Sequence, residues 1–321
     1  MSMHFRELAS KVAADGAITP EEILSLRREG WGDGRVAPDE AEAVFAINDA
    51  LATRSAEWSD FFVEALGEFI INAVEPKGYV SEAQAEWLIG RVDHDGRLDS
   101  LAELELLVRL AERALSVPQK LRDYALAQIE QAVLTGEGPT RSGGSLEKGN
   151  VTKAEADLLR RLLFASGSDR PGGVSRSEAE LLYRIKDATL GAANAPEWKR
   201  LFVQGVGNYL AGFTSYEPVS RDRARELEAF MNDSRSSLGG FARRMGKSFL
   251  RDNFFDVAAD ALGKRDDGPD PDQRADDARK VDLTEQTWLE GQIDGNGEVD
   301  EYDAALLAFL AEESGFSRDE D

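Results

Sequence analysis

Apolar residues recur along this chain at three- and four-residue spacing, and alternation of period two is almost absent. Trp58, Phe62, Leu66, Phe69 and Ile70 form one such stripe. That period puts them on one face of a helix. The same spacing predicts helices over 5–13, from Pro20 to Arg28, from Pro38 to about Leu51, over Leu121–Leu134, and over 238–262. Between the stripes stand short clusters of turn formers such as Asp15-Gly16, Gly32-Asp33-Gly34 and Val117-Pro118. Thr19, Pro20 and Glu22 make a helix start, with Thr19 as cap and Glu22 reaching back to it. The fold class that follows is all-α.

The pattern also repeats, and repeats of this length indicate modular architecture. Residues 80–113 and 281–313 align at a shift of 201, matching Trp87 with Trp288, Asp93 with Asp294, Gly96 with Gly297 and Asp99 with Asp300. The stretch E57-W-S-D-F-F-V reappears as E197-W-K-R-L-F-V. These echoes predict an internally duplicated helical bundle built from five helix-turn-helix units. Residues 1–134 hold a first repeat of two units and a connecting helix, and 135–148 form a Gly-rich linker. Residues 149–263 hold a second repeat of two eroded units with its connecting helix. A charged linker at 264–280 leads to a C-terminal unit at 281–316. That unit is expected to dock on a groove in the body, in cis or from another chain. The apolar residue after each turn (Ile18, Val36, Val80, Leu98, Val281, Val299) is expected to bridge to the other turn of its unit.

Composition narrows the function. Lys plus Arg number 38 against 61 Asp plus Glu, a formal charge of −23. A surface of that sign repels phosphate backbones, so nucleic acid is excluded as a partner. It suits a divalent cation or a basic protein partner. The absence of cysteine removes disulfides and thiolate metal sites. The start of the chain has no apolar leader segment and no run spans a bilayer, which predicts a cytoplasmic protein. No phosphate-cradling glycine loop, zinc-peptidase helix or nucleophile elbow occurs, so no enzymatic activity is expected.

The chemistry lies in the acidic turns. In the fifth unit Asp294, Asn296, Asp300 and Asp303 surround Gly297, and Glu298 offers a backbone carbonyl. In the second unit Asp93, Asp95, Asp99 and Glu103 surround Gly96. A hard cation needs several oxygens converging on one point, which a tight turn can supply. The ordinary alternative is helix capping, in which Asp and Asn precede helices without any ion. In their arrangement the turns resemble EF-hand calcium loops, with Gly297 on that family's glycine. A weaker resemblance, through D15-G-A-I-T-P-E-E and D33-G-R-V-A-P-D-E, is to TerB-like helical domains. The EF-hand resemblance implies Ca²⁺ as ligand, with Mg²⁺ as competitor. It departs from the family at the first ligand, which here is Gln292, Arg91 or Glu29, and at Ala102, where an acid belongs. His94 reads as solvated and the tryptophans as core. Two functions remain: a divalent-cation-binding, EF-hand-like protein acting as a sensor or metal-stabilised interaction module, and a metal-independent helical scaffold for protein–protein interaction.

Overall fold

The structure is a computed structural model, and it describes residues 3–30, 36–72, 75–141, 149–167, 172–210, 283–295, 297 and 299–313. These residues belong to one compact unit, Met1–Pro218 with Ala278–Asp321. The expected fourth unit, the basic helix at 238–262, the linker at 264–280, and Asp33, Gly34, Val281, Asn296 and Glu298 lie outside the described residues. The described chain is mostly helical. Its elements are α1 (Met3–Asp15), α2 (Pro20–Gly30), α3 (Pro38–Ala50), α4 (Ala56–Asn72), α5 (Glu82–Val92), α6 (Leu101–Arg113), α7 (Gln119–Thr135), α8 (Lys153–Leu163), α9 (Arg176–Ala188), α10 (Pro196–Leu210), α11 (Leu283–Asp294) and α12 (Glu301–Glu313).

Half of these helices begin in the same way. Ser81, Ser100, Thr152 and Ser175 each accept the N–H of the residue three positions on. Gln84, Glu103, Glu155 and Glu178 reach back to the N–H of the cap. Two otherwise unpaired donors are satisfied at each start, so the turn chemistry itself fixes where a helix begins. Thr19 with Glu22 follows the expectation from sequence. Asp300 and Asp303 do the same for α12: Asp300 accepts the Asp303 N–H at 3.1 Å, and Asp303 accepts the Asp300 N–H at 3.3 Å.

Aromatic packing is repeated between the two ends of the chain. Trp87, sixth in α5, meets Phe45 of α3 and Phe69 of α4 edge-on. Trp288, sixth in α11, meets Tyr183 of α9 and Tyr209 of α10 edge-on. Phe45 and Tyr183 are each eighth in their helices, and Phe69 and Tyr209 each fourteenth. Helix α4 packs on α6 as α10 packs on α12. Helices α11 and α12 therefore rest on α9 and α10, within the same chain, as α5 and α6 rest on α3 and α4. The helix starts also revise the alignment: Asp300 matches Ser100 and Asp303 matches Glu103, each at the cap and the third helical position. The shift of 201 that fits α5 and α11 becomes 200 in the last helix, so Ala102 is not the counterpart of Asp303.

The expected bridges between turns of one unit do not form at Val80 and Leu98. Val80 donates its N–H to Ser116 O at 3.0 Å. Leu98 donates to the Gln128 side chain of α7 at 3.0 Å, and Gln128 returns a bond to Gly96 O at 3.1 Å. A side-chain amide thus supplies the pairing that a second turn was expected to supply. Where α6 and α8 meet, Arg161 holds Glu112 and Glu105 at 2.8 Å. Beside it Gly167 closes the junction, since a Cβ there would lie 2.7 Å from both Ala111 O and Ala114 O.

Candidate metal centre

In the C-terminal unit, the carboxylates expected to hold calcium hold a lysine. Lys186, eleventh in α9, is fully buried. Its ammonium lies 2.7 Å from Asp300 Oδ2, 3.2 Å from Asp303 Oδ1 and 3.1 Å from Asp187 Oδ1. It also lies over the rings of Tyr183 and Phe202. Burial works to lower this ammonium's pKa, but hydrogen bonds to Asp300 and Asp187, together with the charges of Asp303 and Asp187, outweigh it and hold the group above its ordinary value. Burial pushes the wholly enclosed Asp303 upward. Asp300 is desolvated as well, but the Lys186 hydrogen bond and two backbone N–H groups bring it below the usual carboxylate range. Asp294 stands apart and exposed at the end of α11. Two of the predicted ligands are therefore brought together on an internal cation.

The eleventh residue of α3 is Asn48, and around it the same problem is solved with other groups. Asn48 Nδ2 donates to Glu103 Oε1 at 2.8 Å. Its Oδ1 accepts from the Arg54 side chain at 3.0 Å and from Trp58 Nε1 at 3.1 Å. The positive charge has moved from the helix to the loop before α4. In the matching loop before α10 stands Asn194, which donates to Tyr302 Oη at 3.2 Å. One consequence is visible at Trp198, the counterpart of Trp58. Its Nε1 is buried and finds no acceptor among the described residues, because a lysine can only donate.

The second acidic turn is a hairpin. His94 and Arg97 exchange backbone hydrogen bonds at 2.8 and 3.2 Å around Asp95 and Gly96. Both central residues have positive φ, 55° and 86°, the backbone of a type I′ turn for which Asp-Gly is suited. Asp93 Oδ1 accepts the Gly96 N–H at 2.7 Å, so this side chain closes the turn. Glu103 Oε2 accepts the N–H groups of Asp99 and Ser100, each at 2.9 Å. The oxygen-only calcium loop implied by the resemblance does not fit these residues. What does converge is Asp49, His94 and Glu103, whose ligand atoms all lie within 4.8 Å of one another. Among the described residues this is the only such group of three or more.

Helix α3 brings Asp49, the hairpin brings His94, and the first turn of α6 brings Glu103. Glu103 is buried, and desolvation raises its carboxyl although the Ser100 N–H and Arg54 act to lower it. The Tyr124 hydroxyl lies beside Asp93 and Glu103; burial and then Asp93 push its pKa upward. Asp49 also pairs with Arg91 at 3.3 Å, and His94 Nε2 lies 3.9 Å from Asp99 Oδ2. Two carboxylates and an imidazole at this separation can coordinate a divalent ion after small side-chain movement. Of the residues proposed from sequence, Glu103 belongs to this group, whereas Asp93, Asp95 and Asp99 do not. Asp49 was not legible because nothing in the turn motif points to the end of α3, far upstream of the hairpin. Lys186 left one signal: a lysine near the end of an apolar stripe, where α3 has an asparagine at the same helical position. No protein-family profile, curated protein or solved structure matches the chain.

Proposed function

We propose that this chain is a helical, non-enzymatic protein that binds a divalent cation in its first half, through Asp49, His94 and Glu103. In this reading the five helix-turn-helix units form two related halves, and α11 with α12 completes the second. The observation that carries the proposal is the approach of three ligand atoms from three separate elements to within 4.8 Å. A cation there would tie α3, the hairpin and α6 together. It would raise the melting temperature as its concentration rises above the dissociation constant, because it binds the folded state alone. A cytoplasmic location and a basic protein partner belong to the same reading, the latter from the charge of −23.

The test is equilibrium dialysis of the full chain against a panel of divalent ions, with thermal melts in parallel. One ion per chain, lost in Asp49→Asn and retained in Asp294→Ala, is the expected result. Binding that depends on Asp294 instead would return the site to the fifth unit. The scaffold reading has its own support in Lys186, which already neutralises Asp300 and Asp303. A melt that is the same with every ion and with chelator would favour that reading.

A further inference from the structure

The third residues of α6 and α12, Glu103 and Asp303, meet positive charge differently: Arg54 acts on Glu103 through space, its hydrogen bonds going to Asn48, whereas Asp303 is in direct contact with a cation. In the second half the charge is the Lys186 ammonium, in contact with Asp187, Asp300 and Asp303. In the first half Asn48 replaces that lysine, and Asp49 and Glu103 stand at the positions of Asp187 and Asp303. Asn48 carries no charge. The nearby Arg54 directs its hydrogen bonds to Asn48 Oδ1 and O, each at 3.0 Å. Glu103 Oε1 meets only the neutral Asn48 amide among the hydrogen bonds of the described residues. The hairpin then adds an imidazole, His94, directly after Asp93, where the second half has Gly295 directly after Asp294.

Resting on the divalent-cation reading of this site, we infer that the ion is a borderline transition metal of the zinc type, and that it does for the first half what the Lys186 ammonium does for the second. The donor set decides the class. Imidazole and carboxylate are both donors that zinc takes, and three protein ligands leave one position for water. Calcium requires about six to eight oxygens, and an imidazole is no ligand for it. Zinc bonds of about 2.0–2.1 Å in a tetrahedron put ligand atoms about 3.3 Å apart. The present separations, up to 4.8 Å, close to that by modest rotation of Asp49 and His94. Both have room to move: their side chains are 36% and 40% exposed. Glu103 is the fixed member, held by Asn48, Asp99 and Ser100.

The counterpart role makes a prediction that a chance cluster would not. Transplanting the second half's pair, Lys186 with Asn194, as Asn48→Lys with Arg54→Asn should put an ammonium against Glu103 and exclude the metal. Calorimetric titration of the full chain with Zn²⁺ and with Ca²⁺, and visible absorption with Co²⁺ as spectroscopic probe, reads this out. Wild type should saturate with zinc at one ion per chain and show a cobalt spectrum containing nitrogen ligation. His94→Ala should weaken zinc by more than the ~10–100-fold that outer-shell partners cost. The Asn48→Lys/Arg54→Asn variant should melt cooperatively and bind no zinc. Undiminished zinc binding in that variant overturns the counterpart role and leaves the divalent reading standing. Saturable calcium binding without zinc overturns the ion class alone. Failure of wild type to bind any divalent ion removes the site itself. If the double variant does not fold, Asp49→Asn decides the site: loss of zinc supports it, retention overturns it.

Discussion

Replacing Lys186 by methionine keeps much of the length and the apolar stem of the side chain and removes its charge. The buried carboxylate of Asp303 then has no cation, and Asp300, whose side chain is 9% exposed, loses its 2.7 Å partner. Removing one member of a buried ion pair costs about 3–5 kcal/mol. Asp300 stands nearer to solvent and keeps its backbone hydrogen bonds from Tyr302 and Asp303, which favours the lower end, about 3 kcal/mol. The loss should depend on pH. In the native protein Asp303 is raised, so its contribution is present below its unfolded value and is lost as pH rises through the folded value. Asp300 is lowered, so its contribution is present above its unfolded value and is lost as pH falls through the folded one. Without Lys186, burial acts on both acids against their backbone hydrogen bonds alone, so both should rise. The variant's deficit should then be larger at pH 8 than at pH 5. Urea denaturation followed by tryptophan fluorescence at the two pH values measures this. Adding Asp303→Leu should recover part of the loss, since an apolar pair can replace a buried ionic one. A deficit below about 1 kcal/mol at pH 8, or no recovery in the double variant, would refute the account of a buried lysine neutralising two acids.

Three further outcomes are expected. Trp58→Phe should cost about 1 kcal/mol more than Trp198→Phe, because only Trp58 loses a hydrogen bond, the one to Asn48 Oδ1; equal costs in paired melts would contradict it. Gly167→Ala should destabilise by more than the ~1–3 kcal/mol of ordinary overpacking, since its Cβ would meet two backbone oxygens at 2.7 Å, and backbone cannot step aside as a side chain can; a near-neutral effect on the melt would show that the junction is looser than described. Glu155→Ala should cost about 3–5 kcal/mol by leaving the Arg141 guanidinium buried without the carboxylate it now meets at 2.7 and 2.8 Å; a loss of the size of a surface substitution would count against a structural role for that pair.

Much of the local structure follows from the sequence alone. Spacing of the apolar residues places the helices, because burial of one face requires a three- to four-residue period wherever the helix sits. The short [ST]-x-x-[EQ] signals set helix starts at Ser81, Ser100, Thr152 and Ser175, because capping is a contact over three residues and needs no distant partner. The recurrence of Trp87 and Trp288 marks matching elements for the same reason: each fills the same gap between two helices. Acidic residues near a glycine bend were readable as a group, but not their use. A carboxylate that caps, one that meets a lysine and one that can hold an ion are identical in sequence. Lys186 and Asp303, far apart along the second half, or Asp49 and Glu103 across the first, are joined only when helices pack. Tertiary structure alone decided that Asp300 and Asp303 face an ammonium, and that a histidine from a turn lies beside two carboxylates from separate helices. The physical reason is that electrostatic partnership depends on distance in space and on burial, and neither is encoded by spacing along the chain.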